Sequence, residues 1–218
     1  MRFLHTADWH LGRIFYGQYL TEDQAHVLEH QFFNILRDEN IDGILLAGDV
    51  FDRAVPPIEA IELWDSIITR LAMDYKMPLF VVSGNHDGAE RLEVGRSMLG
   101  QSGIHIWGSP HHALKPFEFE GTDGKVAICP MPFSEPRRIG EALFADVEST
   151  NAESTDTEIA DIITPCYEQN CESALNLHNY DQMYQAWSNY LYKQVPKGMR
   201  SIAISHAFVM GGEVGGSE

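Results

Sequence analysis

Four short apolar segments of this chain each lead into a polar motif, and this arrangement strongly limits the folds available to it. The motifs are D-W-H (8–10), G-D-V-F-D (48–52), G-N-H-D (84–87) and S-H (205–206). Between the first three motifs apolar residues recur at helical spacing, so strands are expected to alternate with helices. Such alternation is typical of an α/β core in which parallel strands are joined by right-handed crossovers.

The first hundred residues give the clearest predictions of individual elements. We expect strands over 2–7, 41–47 and 79–83, and helices over 21–40, 56–73 and 90–99. The first of these helices shows the apolar stripe that a half-buried helix needs. The stripe consists of Val27, Leu28, Phe32, Ile35 and Leu36.

The chain changes character beyond these elements. Short strands are expected over 104–108, 115–120 and 125–129, and a later strand over 200–205 is expected to return to the core. The turn G-T-D-G (121–124) predicts a hairpin, and the short strands are expected to build a second sheet on the first. Residues 134–197 are expected to be mainly helical. Within them, residues 141–172 contain many acidic residues but no Lys or Arg, which is typical of a solvated insertion.

Charge and hydrophobicity argue against two classes of protein. The chain carries 32 Asp and Glu residues against 15 Lys and Arg residues, a net charge of −17 at pH 7. This balance argues against a protein that grips nucleic acid through a broad basic face. No apolar run approaches the roughly 18 residues of a membrane span, and His5 and Asp8 interrupt any signal-peptide core. The expected compartment is the cytoplasm, without membrane association.

The polar residues that follow the four strands are expected to converge. In open α/β sheets, ligands bind outside the carboxyl ends of the strands. The converging residues are Asp8, His10, Asp49, Asp52, Asn85, His86, Asp87 and His206. Carboxylate, imidazole and carboxamide groups together suit Mn²⁺, Fe²⁺ or Zn²⁺.

The spacing of these residues predicts a site for two metal ions. Asp8 and His10 leave a strand end on the same side and can chelate a first ion, and Asp49 can share its two oxygens between that ion and a second. Asn85 and His206 would complete the second ion's ligands. Two ions about 3.5–4 Å apart can clamp the oxygens of a phosphate for in-line attack.

His86 is expected to have a different role, because it directly follows Asn85 and is free to act as a general acid. Asp87 or another carboxylate would then hold its tautomer. A single D-x-H, or an aspartate in a turn after a strand, means little by itself. The occurrence of all the motifs in order, each after a predicted strand, is what favours the metal site.

The motifs D-x-H, G-D-x-x-D and G-N-H-D resemble those of the calcineurin-like metallophosphoesterases. The surrounding stretches are similar to the SbcD family of bacterial nuclease subunits within that superfamily, and comprise residues 8–24, 48–57, 83–92, 130–136 and 205–213. The resemblance implies a layered α/β/β/α sandwich of two mixed sheets flanked by helices. It also implies a manganese-dependent DNA exonuclease and endonuclease of DNA repair, recombination and replication. Such an enzyme acts on DNA ends and hairpins with an SbcC-like coiled-coil ATPase.

Carried over residue by residue, the resemblance implies specific roles. The ligands of two divalent ions, most simply Mn²⁺, would be Asp8, His10, Asp49, Asn85 and His206. His86 would protonate the leaving oxygen with the support of Asp87, and Asp52 would support the ligands. Arg13 is either a phosphate contact or an ordinary surface arginine.

The resemblance further implies a homodimer, in which helices near 57–73 and 90–99 pair across a two-fold axis. The apolar residues suggested for this contact are Trp64, Ile68, Leu92 and Met98.

The sequence departs from the family pattern beyond His206. Relatives complete the site with a G-H-x-H element, and none occurs here. We therefore expect residues 1–218 to be a C-terminally incomplete nuclease domain with a mainly helical acidic insertion at about 134–197, and without a capping domain or ATPase-binding region. Two alternatives stay open: a calcineurin-like phosphoesterase with smaller substrates, and a catalytically incomplete scaffold.

Overall fold

Residues 1–151 and 179–207 are the part of the chain that the computed structural model describes, and they form alternating strands and helices. The strands are β1 (Phe3–Thr6), β2 (Ile14–Phe15), β3 (Gln18–Tyr19), β4 (Gly43–Ala47), β5 (Leu79–Val82), β6 (Ile104–Trp107), β7 (Phe117–Gly121), β8 (Gly124–Met131) and β9 (Arg200–Ser205). The α-helices are α1 (Thr21–Val27), α2 (Phe33–Asp38), α3 (Ile58–Arg70), α4 (Ala89–Leu92), α5 (Arg96–Gln101), α6 (Pro136–Asn151) and α7 (Tyr180–Gln194). Two segments of π-helix, Leu28–Phe32 and Leu71–Tyr75, connect α1 to α2 and extend α3.

The first sheet is parallel and has the order β1-β4-β5-β6. Every residue of β4 and β5 is buried, as expected for apolar strands covered on both faces in a parallel sheet. The three predicted parallel strands, which are β1, β4 and β5, are confirmed here, although each is slightly shorter than expected.

The second sheet has the order β7-β8-β9 and mixes both strand directions. β7 and β8 are antiparallel and meet at the pair Gly121 and Gly124, which confirms the hairpin predicted from G-T-D-G. β8 and β9 are parallel. The chain therefore returns to this sheet from a distant part of the sequence, and His206 lies directly after the returning strand.

The two sheets face each other across a core of aromatic side chains. Phe80 of β5 contacts Phe119 of β7, with ring centroids 5.2 Å apart. Trp187 of α7 is buried in the same cluster, so this helix covers the second sheet. Phe33 and Trp64 belong to a second cluster, in which α2 and α3 cover the outer face of the first sheet. The predicted layered α/β class, with helices outside the sheets, is confirmed.

The observed elements differ from the predicted ones in three places. The strand expected over 104–108 in the second sheet is β6, which instead joins the first sheet beside β5, because α4 and α5 between them supply the crossover that a parallel pair needs. The helix expected over 90–99 is two short helices, because Gly95 takes a left-handed conformation (φ 77°) between α4 and α5. The hairpin of β2 and β3 has no counterpart among the predictions. Residues 152–178 of the acidic insertion lie outside the described residues. Among the described residues, no helix has both the length and the apolar character needed to cross a bilayer.

Three of the apolar residues suggested for a dimer contact are core residues instead. Trp64, Ile68 and Leu92 are 7%, 7% and 5% exposed, whereas Met98 is 76% exposed. The suggestion is wrong for the first three because their side chains pack in the cluster on the first sheet.

Candidate metal centre

The loops after β1 and β4 run side by side and carry the first predicted ligands. Asp8 N donates a hydrogen bond to Gly48 O at 3.1 Å, and His10 N donates to Asp49 O at 2.9 Å. Asp8, His10 and Asp49 have φ values of 56°, 45° and 49°, in the left-handed region that few residues other than glycine adopt. Main-chain pairing thus continues past the strands and holds both loops in an unusual conformation.

Gly48 and Gly84 make room for the side chains between these loops. A Cβ atom at Gly48 would overlap the imidazole ring of His206, and one at Gly84 would overlap the carboxylate of Asp49. Glycine is therefore needed for the close approach of the site residues, in addition to the tight turns that the sequence suggests.

Asp49 is the buried centre of the group. Its side chain is 4% exposed, and its Oδ1 accepts a hydrogen bond from His86 N at 2.9 Å. Its Oδ2 lies 3.6 Å from His10 Nε2 and 3.7 Å from His206 Nε2. Both distances exceed those of ordinary hydrogen bonds. Two imidazole nitrogens therefore face one carboxylate across gaps that a cation can bridge.

Two sets of possible ligands share Asp49. The sets are His10, Asp49 and His86, and Asp8, Asp49 and His206. Within each set the ligand atoms lie within 4.8 Å of one another. Asn85 adjoins the second set, with its Oδ1 3.0 Å from His206 Nε2. These donors fit divalent ions such as Mn²⁺, Fe²⁺ or Zn²⁺, while the assignment of each residue to one ion stays a prediction.

Main-chain carbonyl groups orient two of the histidines. His206 Nδ1 lies 2.9 Å from Ala47 O, and His86 Nδ1 lies 2.8 Å from Asp52 O. Because a carbonyl oxygen only accepts hydrogen bonds, each Nδ1 carries a proton and donates it, which turns Nε2 of each ring toward the cleft. A carbonyl behind the ring is a common support for a metal-binding histidine.

Asp87 ties the neighbouring loops together. Its carboxylate accepts hydrogen bonds from the main-chain N–H groups of Val50 (3.2 Å), Phe51 (2.9 Å) and Gly84 (2.9 Å). Burial raises the pKa of the Asp87 carboxyl, and the three N–H donors oppose that shift. In this arrangement Asp87 fixes the backbone on both sides of the site.

Asp52 lies behind both histidines of the first set. Its main-chain oxygen is the partner of His86 Nδ1, and its carboxylate oxygen lies 3.5 Å from His10 Nδ1. This position fits the supporting role suggested for Asp52. It also means that the contact on His86 Nδ1 comes from Asp52 and not from the Asp87 carboxylate.

The predicted ligands line an open cleft of about 760 Å³. Arg13 is exposed and is not one of the lining residues. Within residues 1–151 and 179–207, no Lys or Arg side chain lines the cleft.

The side chain of Gln24 stabilises the loop that follows β1, a role that the sequence does not predict. Its Nε2 donates to the carbonyl oxygens of Trp9 (3.0 Å) and His10 (2.8 Å), and its Oε1 accepts from Gly12 N at 3.1 Å. One side chain thus pairs three main-chain groups of a loop that carries metal ligands. No local signal marks Gln24, because its helix has an ordinary amphipathic pattern.

Comparison with known proteins is consistent with this geometry. The family described as calcineurin-like phosphoesterase matches residues 1–193. The chain is 39% identical over 134 residues to the SbcD component of the nuclease SbcCD from Staphylococcus saprophyticus subsp. saprophyticus. The aligned region covers 62% of this chain and 34% of that relative, so the chain matches about a third of the relative's length.

Proposed function

Because the chain belongs to the calcineurin-like phosphoesterase family, whose members use divalent metal ions, we propose that it is the catalytic domain of an SbcCD-type DNA nuclease. Its reaction would be the manganese-dependent hydrolysis of phosphodiester bonds at DNA ends and hairpins. The observation that carries this proposal is the buried Asp49 carboxylate, which faces the Nε2 atoms of His10 and His206 at 3.6 and 3.7 Å.

In the proposed reaction, the metal ions and the protein side chains have different roles. Bound divalent ions supply Lewis-acid polarisation of the phosphate and lower the pKa of the attacking water. Asp8, His10, Asp49, Asn85 and His206 are the side chains that would hold them. The carbonyl group of Ala47 keeps His206 Nε2 directed into the cleft.

His86 is the proposed proton donor to the leaving oxygen. Its side chain is exposed in the cleft, and its Nδ1–H donates to the Asp52 carbonyl, so the proton for the leaving oxygen would come from Nε2 of the doubly protonated imidazolium ring. A positioned general acid of this kind contributes about 10²–10⁴-fold to a rate.

The proposed partners are DNA, an SbcC-like ATPase and a second copy of the chain. The relative is named as one component of the nuclease SbcCD, which supports the ATPase. Of the residues suggested for the dimer, Met98 stays exposed, and Ile58, Ile61 and Val94 offer further exposed apolar surface on or next to the same helices. Capping and ATPase-binding regions would belong to the remainder of such a protein.

Digestion of linear and hairpin DNA tests the proposal. The full-length protein with its ATPase partner is expected to cut both substrates when Mn²⁺ is present, and His86→Gln should lower the rate by about 10²–10⁴-fold, because glutamine cannot deliver a proton. His111→Gln is the matched control, since His111 is exposed and does not line the cleft. Equal rates for wild type and His86→Gln would remove His86 from this role. Hydrolysis of small phosphodiesters without any cutting of DNA would favour the smaller-substrate alternative.

A further inference from the structure

Aromatic side chains form one wall of the cleft that holds the metal ligands. This aromatic wall consists of Phe133, Tyr180 and Tyr184. The rings of Phe133 and Tyr180 stack with centroids 6.2 Å apart and an angle of 29° between their planes. Phe133 also meets the ring of His206 edge-on, with centroids 6.5 Å apart. The wall therefore adjoins one side of the predicted metal site.

The aromatic wall is anchored to the two sheets from behind. Phe133 N donates to Ser83 O at 2.8 Å, which ties the segment after β8 to the end of β5. The Tyr184 hydroxyl donates to His206 O at 3.2 Å. Tyr184 is on the same helix as the fully buried Trp187, so α7 is held firmly against the core. Phe133 and Tyr184 are therefore tied to the main chain close to His206.

The exposed part of the wall is Tyr180. It lies one helical turn before Tyr184 and remains 47% exposed, although it stacks on Phe133. Within the described residues no cationic Lys or Arg side chain lines the cleft. A substrate that reaches the metal ligands can therefore gain little from ion pairs with the wall, and a flat aromatic group would gain most from it.

We propose that Phe133 and Tyr180 form a stacking subsite for the base of the nucleotide whose phosphate lies at the Asp49 group. This inference rests on the proposed nuclease function. Every base has a π-face, so stacking on aromatic side chains tolerates any sequence. Such a subsite suits an enzyme that must process DNA ends irrespective of their sequence. An aliphatic or sugar substrate would gain less than a base from the exposed aromatic ring of Tyr180.

Binding of two small phosphates tests the subsite without relying on turnover. Calorimetry on the full-length protein with Mn²⁺ compares thymidine 5′-monophosphate with 2-deoxyribose 5-phosphate, which lacks the base. Wild type is expected to bind the first about tenfold more tightly, within the range that a single stacked base provides. Tyr180→Ala and Phe133→Ala should each remove most of that preference, whereas Tyr180→Phe keeps the ring and should retain it.

Tyr192→Ala is the matched control, because Tyr192 is on the same helix, 71% exposed and outside the cleft. It should show the wild-type preference. Equal binding of the two phosphates by wild type would overturn the subsite, and so would an equal loss of both ligands in Tyr180→Ala, which would indicate a merely structural role.

DNA digestion by the same preparations separates this inference from the nuclease proposal. If the protein cuts DNA but binds the two small phosphates equally, the subsite is contradicted and the nuclease proposal stands. If the protein prefers the phosphate that carries a base, Tyr180→Ala abolishes this preference, and no DNA is cut, the subsite is supported and the nuclease proposal is contradicted.

Discussion

Left-handed backbone at Asp8, His10 and Asp49 places three predicted metal ligands in conformations that cost free energy. Such a conformation costs of order 1–3 kcal/mol for each residue other than glycine and persists only when its surroundings impose it. Here the surroundings are the main-chain pairing between the two loops and the side chain of Gln24. Gln24 should therefore influence metal binding although it is not a ligand.

Replacement of Gln24 by alanine is expected to weaken Mn²⁺ binding by roughly tenfold. The change leaves the N–H of Gly12 and the carbonyl groups of Trp9 and His10 without their partner. Each buried group of this kind that loses its partner costs about 1–3 kcal/mol, which destabilises the ordered conformation of the loop. Electron paramagnetic resonance titration of free Mn²⁺ measures the effect.

The control for this substitution is Gln31→Ala, because Gln31 is exposed on the helical segment that continues α1. It should bind Mn²⁺ as wild type does. If Gln24→Ala also binds Mn²⁺ normally, main-chain pairing alone holds the ligand loop.

At the residue scale, the sequence predicts ligands better than their supports. Asp8, Asn85 and His206 are recognisable because each closely follows an apolar strand, and parallel strands bring their ends together. Gln24 bonds main-chain groups 12 to 15 positions away, and Asp87 bonds two groups 36 and 37 positions away as well as that of Gly84. No pattern of spacing in a single sequence encodes such contacts.

At the scale of elements, the hairpin of β2 and β3 shows why short strands escape prediction. Each strand has two residues, too few for an alternating pattern to be seen. The turn is formed by Tyr16 and Gly17, both left-handed at φ 47° and 79°. Left-handed conformation at both central positions is the geometry of a type I′ turn, for which the usual sequence signal is Asn-Gly or Asp-Gly. In Tyr16-Gly17 only the glycine of this signal is present.

The hairpin of β7 and β8 leads to a prediction about pH. Its turn residue Asp123 pairs with Arg200 of β9 at 2.9 Å and with the N-terminal ammonium group at 2.8 Å. The Arg200 guanidinium, followed by the N-terminus, holds the pKa of the Asp123 carboxyl far below its ordinary value of 3.8. A lowered folded-state pKa means that this stabilisation is present above pH 3.8 and is lost as the pH falls toward the folded-state pKa.

Asp123→Asn should therefore lower the urea midpoint modestly at pH 7, and the difference from wild type should shrink below about pH 3.8. Urea unfolding followed by circular dichroism across this pH range measures it. Glu120→Gln removes an exposed carboxylate from the same hairpin and serves as the control. A difference that is the same at pH 7 and pH 3 would show that the charged pair is not its cause.

At the scale of the whole molecule, the net charge bears on the affinity for DNA, which is a separate property from the proposed catalysis at the metal site. The chain has 17 more acidic than basic side chains (32 against 15), and no Lys or Arg within the described residues lines the cleft. Electrostatic attraction to the phosphate backbone supplies most of the affinity of sequence-independent DNA binding. The proposed ATPase partner would have to supply that attraction.

Residues 1–218 alone are expected to bind DNA weakly, with a Kd above about 10⁻⁶ M at physiological salt. Fluorescence anisotropy with a labelled hairpin, in Ca²⁺ to prevent cutting, measures this affinity. The complex with the ATPase is the positive control. Submicromolar binding by the isolated chain would show that a local basic surface outweighs its overall charge.

The late position of His206 in the sequence also determines when, during synthesis, the complete site can form. His206 follows β9, and its Nδ1 pairs with Ala47 O across 159 positions of sequence. During synthesis the amino-terminal strands leave the ribosome first, so Asp8 and Asp49 can take their places long before His206 has been made. A nascent chain can assemble the set of His10, Asp49 and His86 but not the set that includes His206. Until synthesis has passed β9, a ribosome-bound chain would therefore lack His206, one of the proposed ligands, and with it the complete proposed site.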